Sequence, residues 1–229
     1  MVHEFLEFLK EQYFIPFYFV TWVISALNYR KYFDTVLKYF PVFIAYTFFT
    51  EVLGYFIKFH DGFQFFSDER YSWDNVIIYN VYSIVSFSFF YYIYLNTLKN
   101  QKHKKWLKYG ILVSAIGYLV SIFVQDPFHI NLYYADLIAS IVLLFAIGLY
   151  IKEKMGEPSD HPMKFNLLFW ISLGLVVFHI FFPFIFLLLY EAIDFYYKYH
   201  LHELLIILIM VMYCLFSIGF LMSKRKAFR

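Results

Sequence analysis

FNLLFWISLGLVVFHIFFPFIFLLLY, residues 165–190, runs for 26 residues without an Asp, Glu, Lys or Arg. As an α-helix rising 1.5 Å per residue it reaches about 39 Å, more than the ~30 Å of a bilayer's hydrocarbon core. Six other apolar runs approach the length of a crossing, so the predicted spans are 14–28, 36–57, 76–95, 107–124, 133–151, 165–190 and 201–222. The whole chain is 62% hydrophobic and 16% charged, where soluble domains hold about 45–50% apolar and about 25% charged residues. That much apolar surface has no place in a water-soluble fold. The fold class expected is all-α: a polytopic membrane protein with a seven-transmembrane-helix bundle as one domain over 1–229, and the lipid bilayer as its first partner.

The flanking segments agree with this reading. The first run is short, and HEFLEFLKEQ before it (3–12) reads as an amphipathic helix lying along the interface. The N-terminus lacks a basic region followed by a small-residue cleavage site, so no cleaved signal peptide is expected. Cys214 is the only cysteine, which excludes an intramolecular disulfide. A net charge of +2 implies no bulk attraction to nucleic acid, and none is expected as a partner.

Lys and Arg orient the spans. Arg30, Lys31 and Lys38, then NQKHKKWLK (100–108) with its neighbour Lys99, then Lys152, Lys154 and Lys164, then the tail from Lys224 all fall on one side. Fifteen of the basic residues lie there and four on the other side. The expectation is N-terminus out and C-terminus in, in the inner (cytoplasmic) membrane. The opposite face carries acids and histidines instead, among them Asp126, His129, Glu191, His200 and His202.

Polar residues inside the spans recur at helical spacing. Thr21, Ser25 and Asn28 do so in the first span; Thr47, Glu51, Gly54 and Lys58 in the second; Asn80, Ser83 and Ser86 in the third. Ser114, Tyr118, Ser121 and Gln125 follow in the fourth, Asp136 and Ser140 in the fifth, Ser172, His179 and Pro183 in the sixth. Glu203, Met210, Cys214 and Ser217 make the stripe of the seventh. Small and hydroxylated residues serve helix packing. Ionisable ones cost roughly 2.5–3.5 kcal/mol at the bilayer centre, so they mark functional positions by default. Glu51, Asp136, His179 and Glu203 are therefore candidates, and Asn80, near the outer start of the third span, lies at similar depth; these five form the candidate ligand-binding set, all in the outer half of their spans. Glu51, within YTFFTEVLGYFI (46–57), is the centre of that set, with His179, Asn80, Asp136 and Glu203 as its possible partners. Pro183, one turn beyond His179, is expected to kink the sixth span.

Chemistry is less well signalled. YHLHE (199–203) offers His200, His202 and Glu203, but His200 and His202 diverge on a helix and zinc catalysis takes three protein ligands. The last span lacks the paired histidines, four residues apart, of the alkaline ceramidase and adiponectin-receptor hydrolases. It also lacks the lysine that a retinal protein requires. No Pro-Gln signature of the small sugar transporters and no Pro-Glu-Glu motif of the lycopene cyclases occurs. No cofactor is expected, and whether a metal binds stays open.

The motifs do resemble one family. YTFFTEVLGYFI, IIYNVYSIVSFSFFYYIY (77–94) and NLLFWISLGLVVFHI (166–180) are similar to a family of seven-helix integral membrane proteins of Bacteroidetes without an assigned activity. The matching residues are Glu51, Leu53 and Gly54, then Tyr79 and Asn80, then Asn166, Phe169, Trp170, Ser172 and Gly174. Many members of the family have an acidic residue near the middle of span three, where this chain has Ser86. The family is similar to membrane sensory modules that work beside separate signalling proteins. The resulting expectation is a non-enzymatic sensory or signalling-accessory protein with a polar pocket in its outer half and a possible separate signalling protein at its cytoplasmic face. The alternatives are a small-solute transporter and, behind it, a metal-dependent membrane hydrolase.

Overall fold

The computed structural model describes residues 13–59, 75–156 and 162–225. The predicted interfacial helix over 3–12, the outer-face residues His60, Asp61, Asp68, Glu69 and Asp74, and Arg229 lie outside them. The described residues contain eight α-helices and no strand. They are α1 (Ile15–Leu27), α2 (Phe40–Phe59), α3 (Val76–Thr97), α4 (Gln101–Val124), α5 (Tyr133–Gly156), α6 (Leu167–Glu191), the six-residue α7 (Ile193–Lys198) and α8 (Leu201–Met222). Six stretches are long and apolar enough to cross a membrane: α2 with the 3-10 turn before it, α3, α4, α5, α6 and α8. The chain is thus a multi-pass, membrane-type helical protein. The predicted first span is shorter than a crossing. α1 has 13 residues, about 20 Å of helix.

Helix ends follow local chemistry. Pro16 stands in the first turn of α1, where a missing N–H costs nothing. Asn100 and Asn166 cap α4 and α6, each side chain accepting from the N–H two residues on. Glu153 of α5 reinforces the first of these caps. Its carboxylate accepts from the Lys99 and Asn100 N–H groups at 2.7 and 3.3 Å and pairs with His103 at 2.5 Å. Lys31 reaches across to the other kind of end, donating to the Phe220 and Leu221 carbonyls at the close of α8. α6 runs unbroken through Pro183, although the His179 carbonyl loses its usual donor there.

Six helices close a ring in the order α1, α2, α3, α5, α6, α8, and back to α1. α4 lies outside it, packed on α5 and α3. The apolar residues of α4 away from that seam, such as Leu112, Leu119, Phe123 and Val124, are exposed as lipid-facing residues should be. Its polar stripe is buried: Ser114, Tyr118, Ser121 and Gln125 all face the bundle. α6 and α8 approach most closely, through Gly174 and Gly219. A methyl group at Gly219 would stand 2.7 Å from the Trp170 Cβ, and one at Gly174 3.1 Å from the Met212 carbonyl. The α8 stripe read from the sequence faces differently. Glu203 and Cys214 are exposed, whereas Ile206, Tyr213, Phe216 and Phe220 turn inward. Aromatic and aliphatic bulk fills most of the interior along that helix, and of the stripe Ser217 meets the buried Thr21 of α1 at 2.9 Å.

The ring is filled unevenly. Toward the basic end, Phe40 packs against Phe90, Phe216 and Phe220 with centroids 5.5–6.2 Å apart, and Tyr32 and Tyr94 are fully buried beside them. Edge-on aromatic pairs of this kind add about 0.5–1.5 kcal/mol each beyond their buried area. Toward the other end the ring is hollow.

Candidate functional site

The hollow is a cavity of about 480 Å³ lined by α1, α2, α3, α5, α6 and α8 but not by α4. On α3 it runs from Asn75 to Phe90 and on α8 from His202 to Phe216, so it descends about 21 Å along the helices. Lys58, Phe59, Asn75 and His202 stand at its mouth; Phe43, Phe90 and Phe216 form its floor.

Three of the five candidate residues line it: Glu51, Asp136 and His179. Glu51 projects from α2 between two neighbours. Its Oε1 accepts from the Tyr18 hydroxyl of α1 at 3.4 Å, and its Oε2 from the Tyr79 hydroxyl of α3 at 3.2 Å. One turn earlier Thr47 gives its proton to the Phe43 carbonyl at 3.1 Å, so Tyr82, 3.3 Å away, donates to Thr47. Tyr18 also packs edge-on to Tyr213 of α8 at 4.4 Å. Glu51 of α2 thus sits in a frame of tyrosines from three other helices, α1, α3 and α8.

Asp136 is 2% exposed and is held from outside the ring. The Tyr118 hydroxyl of α4 donates to its Oδ1 at 2.6 Å, and Ser83 of α3 is a second partner. His179 faces Phe87, Phe178 and Phe182, with ring centroids 5.2–5.8 Å away, and its Nδ1 is 3.0 Å from the Ser140 hydroxyl. Ser140 is fully buried and does not line the cavity, so this pair presents no nucleophile to a bound molecule.

The other two candidates are elsewhere. Asn80 is buried with its amide spent on backbone. Its Nδ2 donates to the Pro127 and Ile130 carbonyls at 2.7 and 3.1 Å, and its Oδ1 accepts from the Leu132 N–H at 3.0 Å. It clamps the connection between α4 and α5. Glu203 is 68% exposed on the first turn of α8 and pairs with His200 at 3.3 Å. None of Asn80, Asp136, His179 and Glu203 bonds to Glu51; tyrosines do. Those tyrosines were hidden in the sequence, although Tyr79, Tyr82 and Ser86 share one face of α3 at helical spacing. Among the described residues no three His, Cys, Asp or Glu side chains are grouped to hold a metal.

The site therefore offers acceptors, hydroxyls and aromatic faces for binding. No family model, curated protein or solved structure matches the chain.

Proposed function

We propose that this chain is a non-enzymatic membrane receptor that takes a small molecule into the ring cavity and works with a separate signalling protein. In this reading α1 joins the six longer helices as a seventh, foreshortened crossing, with the N-terminus outside and the C-terminus in the cytoplasm. The charge asymmetry supports that orientation, because the termini of α2, α4, α6 and α8 that carry the lysines all lie at one end. Glu51, Asp136 and His179 are the ligand-facing polar residues, while Asn80 and Glu203 serve the frame and the surface. The kinship with the Bacteroidetes family rests on the span motifs.

The receptor reading over the transporter is supported by the packed layer that, among the described residues, lies between this cavity and a smaller one of about 340 Å³ at the basic end. The floor of Phe43, Phe90 and Phe216 rests on that layer, around Phe40, Tyr94 and Phe220. A receptor needs no path through this layer, whereas a carrier would have to open it toward the other face in a second state. The test places a cysteine at Ser86, on the cavity wall of α3, in a Cys214→Ala background. Membrane-impermeant methanethiosulfonate reagents of either charge are expected to label it in intact cells from outside. A reporter active only in the cytoplasm should work when fused at the C-terminus. Labelling only from the cytoplasmic side, or no labelling of a folded variant, would overturn the reading.

A further inference from the structure

We infer that the cavity takes a protonated amine carried on an apolar body; the assignment rests on the receptor reading above and names its ligand class. Nearly half of the lining residues among those described are Phe or Tyr, including Tyr55, Phe87, Phe182 and Tyr196. Into this aromatic enclosure project two carboxyl groups, Glu51 and Asp136. Among the described residues the one Lys or Arg that lines the cavity is Lys58, at the mouth, one of whose contacts is the Phe59 ring at 5.7 Å.

Each ligand class meets this wall differently. An anion finds no Lys or Arg below the mouth among the described residues and two acidic groups facing it. A neutral apolar molecule satisfies the rings but makes no use of the carboxyl groups, which then stay with their tyrosine partners. An ionised carboxylate among apolar walls is costly unless a positive charge faces it. An ammonium group supplies that charge, donates N–H bonds to the carboxylate oxygens, and is attracted to the faces of Phe and Tyr rings. Glu51 is suited to this. Its hydroxyl partners come from the flanking helices α1 and α3, and it remains on the cavity wall. The apolar body of such a ligand would lie toward Phe90 and Phe216 at the floor.

The test uses three probes with one shared body: phenethylamine, 2-phenylethanol and phenylacetate, measured by calorimetry on the full chain in lipid nanodiscs, with empty nanodiscs subtracted. Phenethylamine is expected to bind at least about tenfold more tightly than the alcohol, with no measurable binding of the acid. Glu51→Gln should weaken phenethylamine by about tenfold while leaving 2-phenylethanol unchanged, a split that a merely loosened cavity does not produce. Asp136→Asn gives the second reading should Glu51→Gln not fold. Phenethylamine should also slow the labelling of Ser86→Cys. Equal binding of the alcohol, binding of the acid, or no binding of the amine overturns the amine assignment. The receptor reading is judged separately, by whether Ser86→Cys labels from outside.

Discussion

The hydroxyl of Tyr79 occupies the space that a side chain at Gly54 would fill. A Cβ built on Gly54 would stand 2.5 Å from that oxygen and 3.0 Å from the ring carbon bearing it. Tyr79 crosses from α3 over the backbone of α2 and so reaches Glu51, three residues before Gly54. The Glu-x-x-Gly spacing in YTFFTEVLGYFI is the sequence form of this crossing.

A double-mutant cycle follows from that geometry. Gly54→Ala gains up to about 1 kcal/mol of helix propensity but must displace the Tyr79 hydroxyl. Tyr79→Phe removes the hydroxyl and with it the closest contact. The double variant is expected to be more stable than the sum of the single changes by about 1 kcal/mol, read from thermal unfolding in detergent. Simple additivity would show that Gly54 and Tyr79 do not share the space.

Asn80 gives a sharper contrast between two substitutions. Asn80→Ala leaves the Pro127 and Ile130 carbonyls and the Leu132 N–H without their partner, at a cost of about 2–3 kcal/mol. Asn80→Asp keeps the acceptor for Leu132 but turns an oxygen toward two carbonyls. It is expected to be at least as damaging as Ala despite its closer shape. A ligand-contact role would invert this, with stability intact in both variants and binding lost.

The comparison of Asn80 with Glu51 shows what the sequence could disclose. Length and apolarity locate helices well, because a crossing must satisfy its own backbone whatever lies beside it. α3 and α8 accordingly begin where the pattern begins, at Val76 and Leu201. Ionisable residues also stand out, and Glu51, Asp136 and His179 share one cavity. What a polar side chain meets depends on the order of helices around the ring, which periodicity along one helix does not encode. Asn80 and Glu51 therefore fall in one candidate set, yet one spends its amide on a loop and the other faces the hollow. Tyrosine is the least legible type: of 23, Tyr118 alone stands in a polar stripe, and the others read as apolar bulk until a partner across the ring gives a hydroxyl its role. α4 carries a polar stripe like the rest but lies outside the ring, where the stripe serves the seam with α3 and α5.

That seam holds Asp136 in place. Tyr118→Phe removes the 2.6 Å donor from a buried carboxyl group, a loss of about 1–3 kcal/mol. In an Asp136→Ala background the same change should cost less by at least about 1 kcal/mol, because no carboxyl group then awaits the hydroxyl. Equal costs in both backgrounds would mean that Tyr118 stabilises α4 by packing alone. Phenethylamine affinity adds a readout beyond stability: Tyr118→Phe should change it, since Asp136 faces the cavity from the other side.

Outside the spans, Asp126 sets a testable acid dependence. Its carboxylate accepts from the His129 ring at 2.7 Å and from the Phe128 N–H at 3.0 Å. The hydrogen bond from His129 comes first among the causes that hold it below its usual 3.8, the Phe128 bond second. A carboxyl group whose pKa is lower in the folded than in the unfolded state stabilises the fold above the unfolded value. That contribution is lost as pH falls through the folded one. The contribution of this turn is therefore complete above about pH 4 and disappears below it, and the site is indifferent to changes between pH 5 and 8 through Asp126 itself. Because the pair is exposed, salt should weaken it further. Carbon-detected NMR of labelled aspartate should place the Asp126 midpoint below 3.8, and His129→Ala should move it upward. A midpoint at or above the ordinary value in the unmodified chain would show that the turn between α4 and α5 is not held by this pair, and would leave Asn80 as its principal clamp.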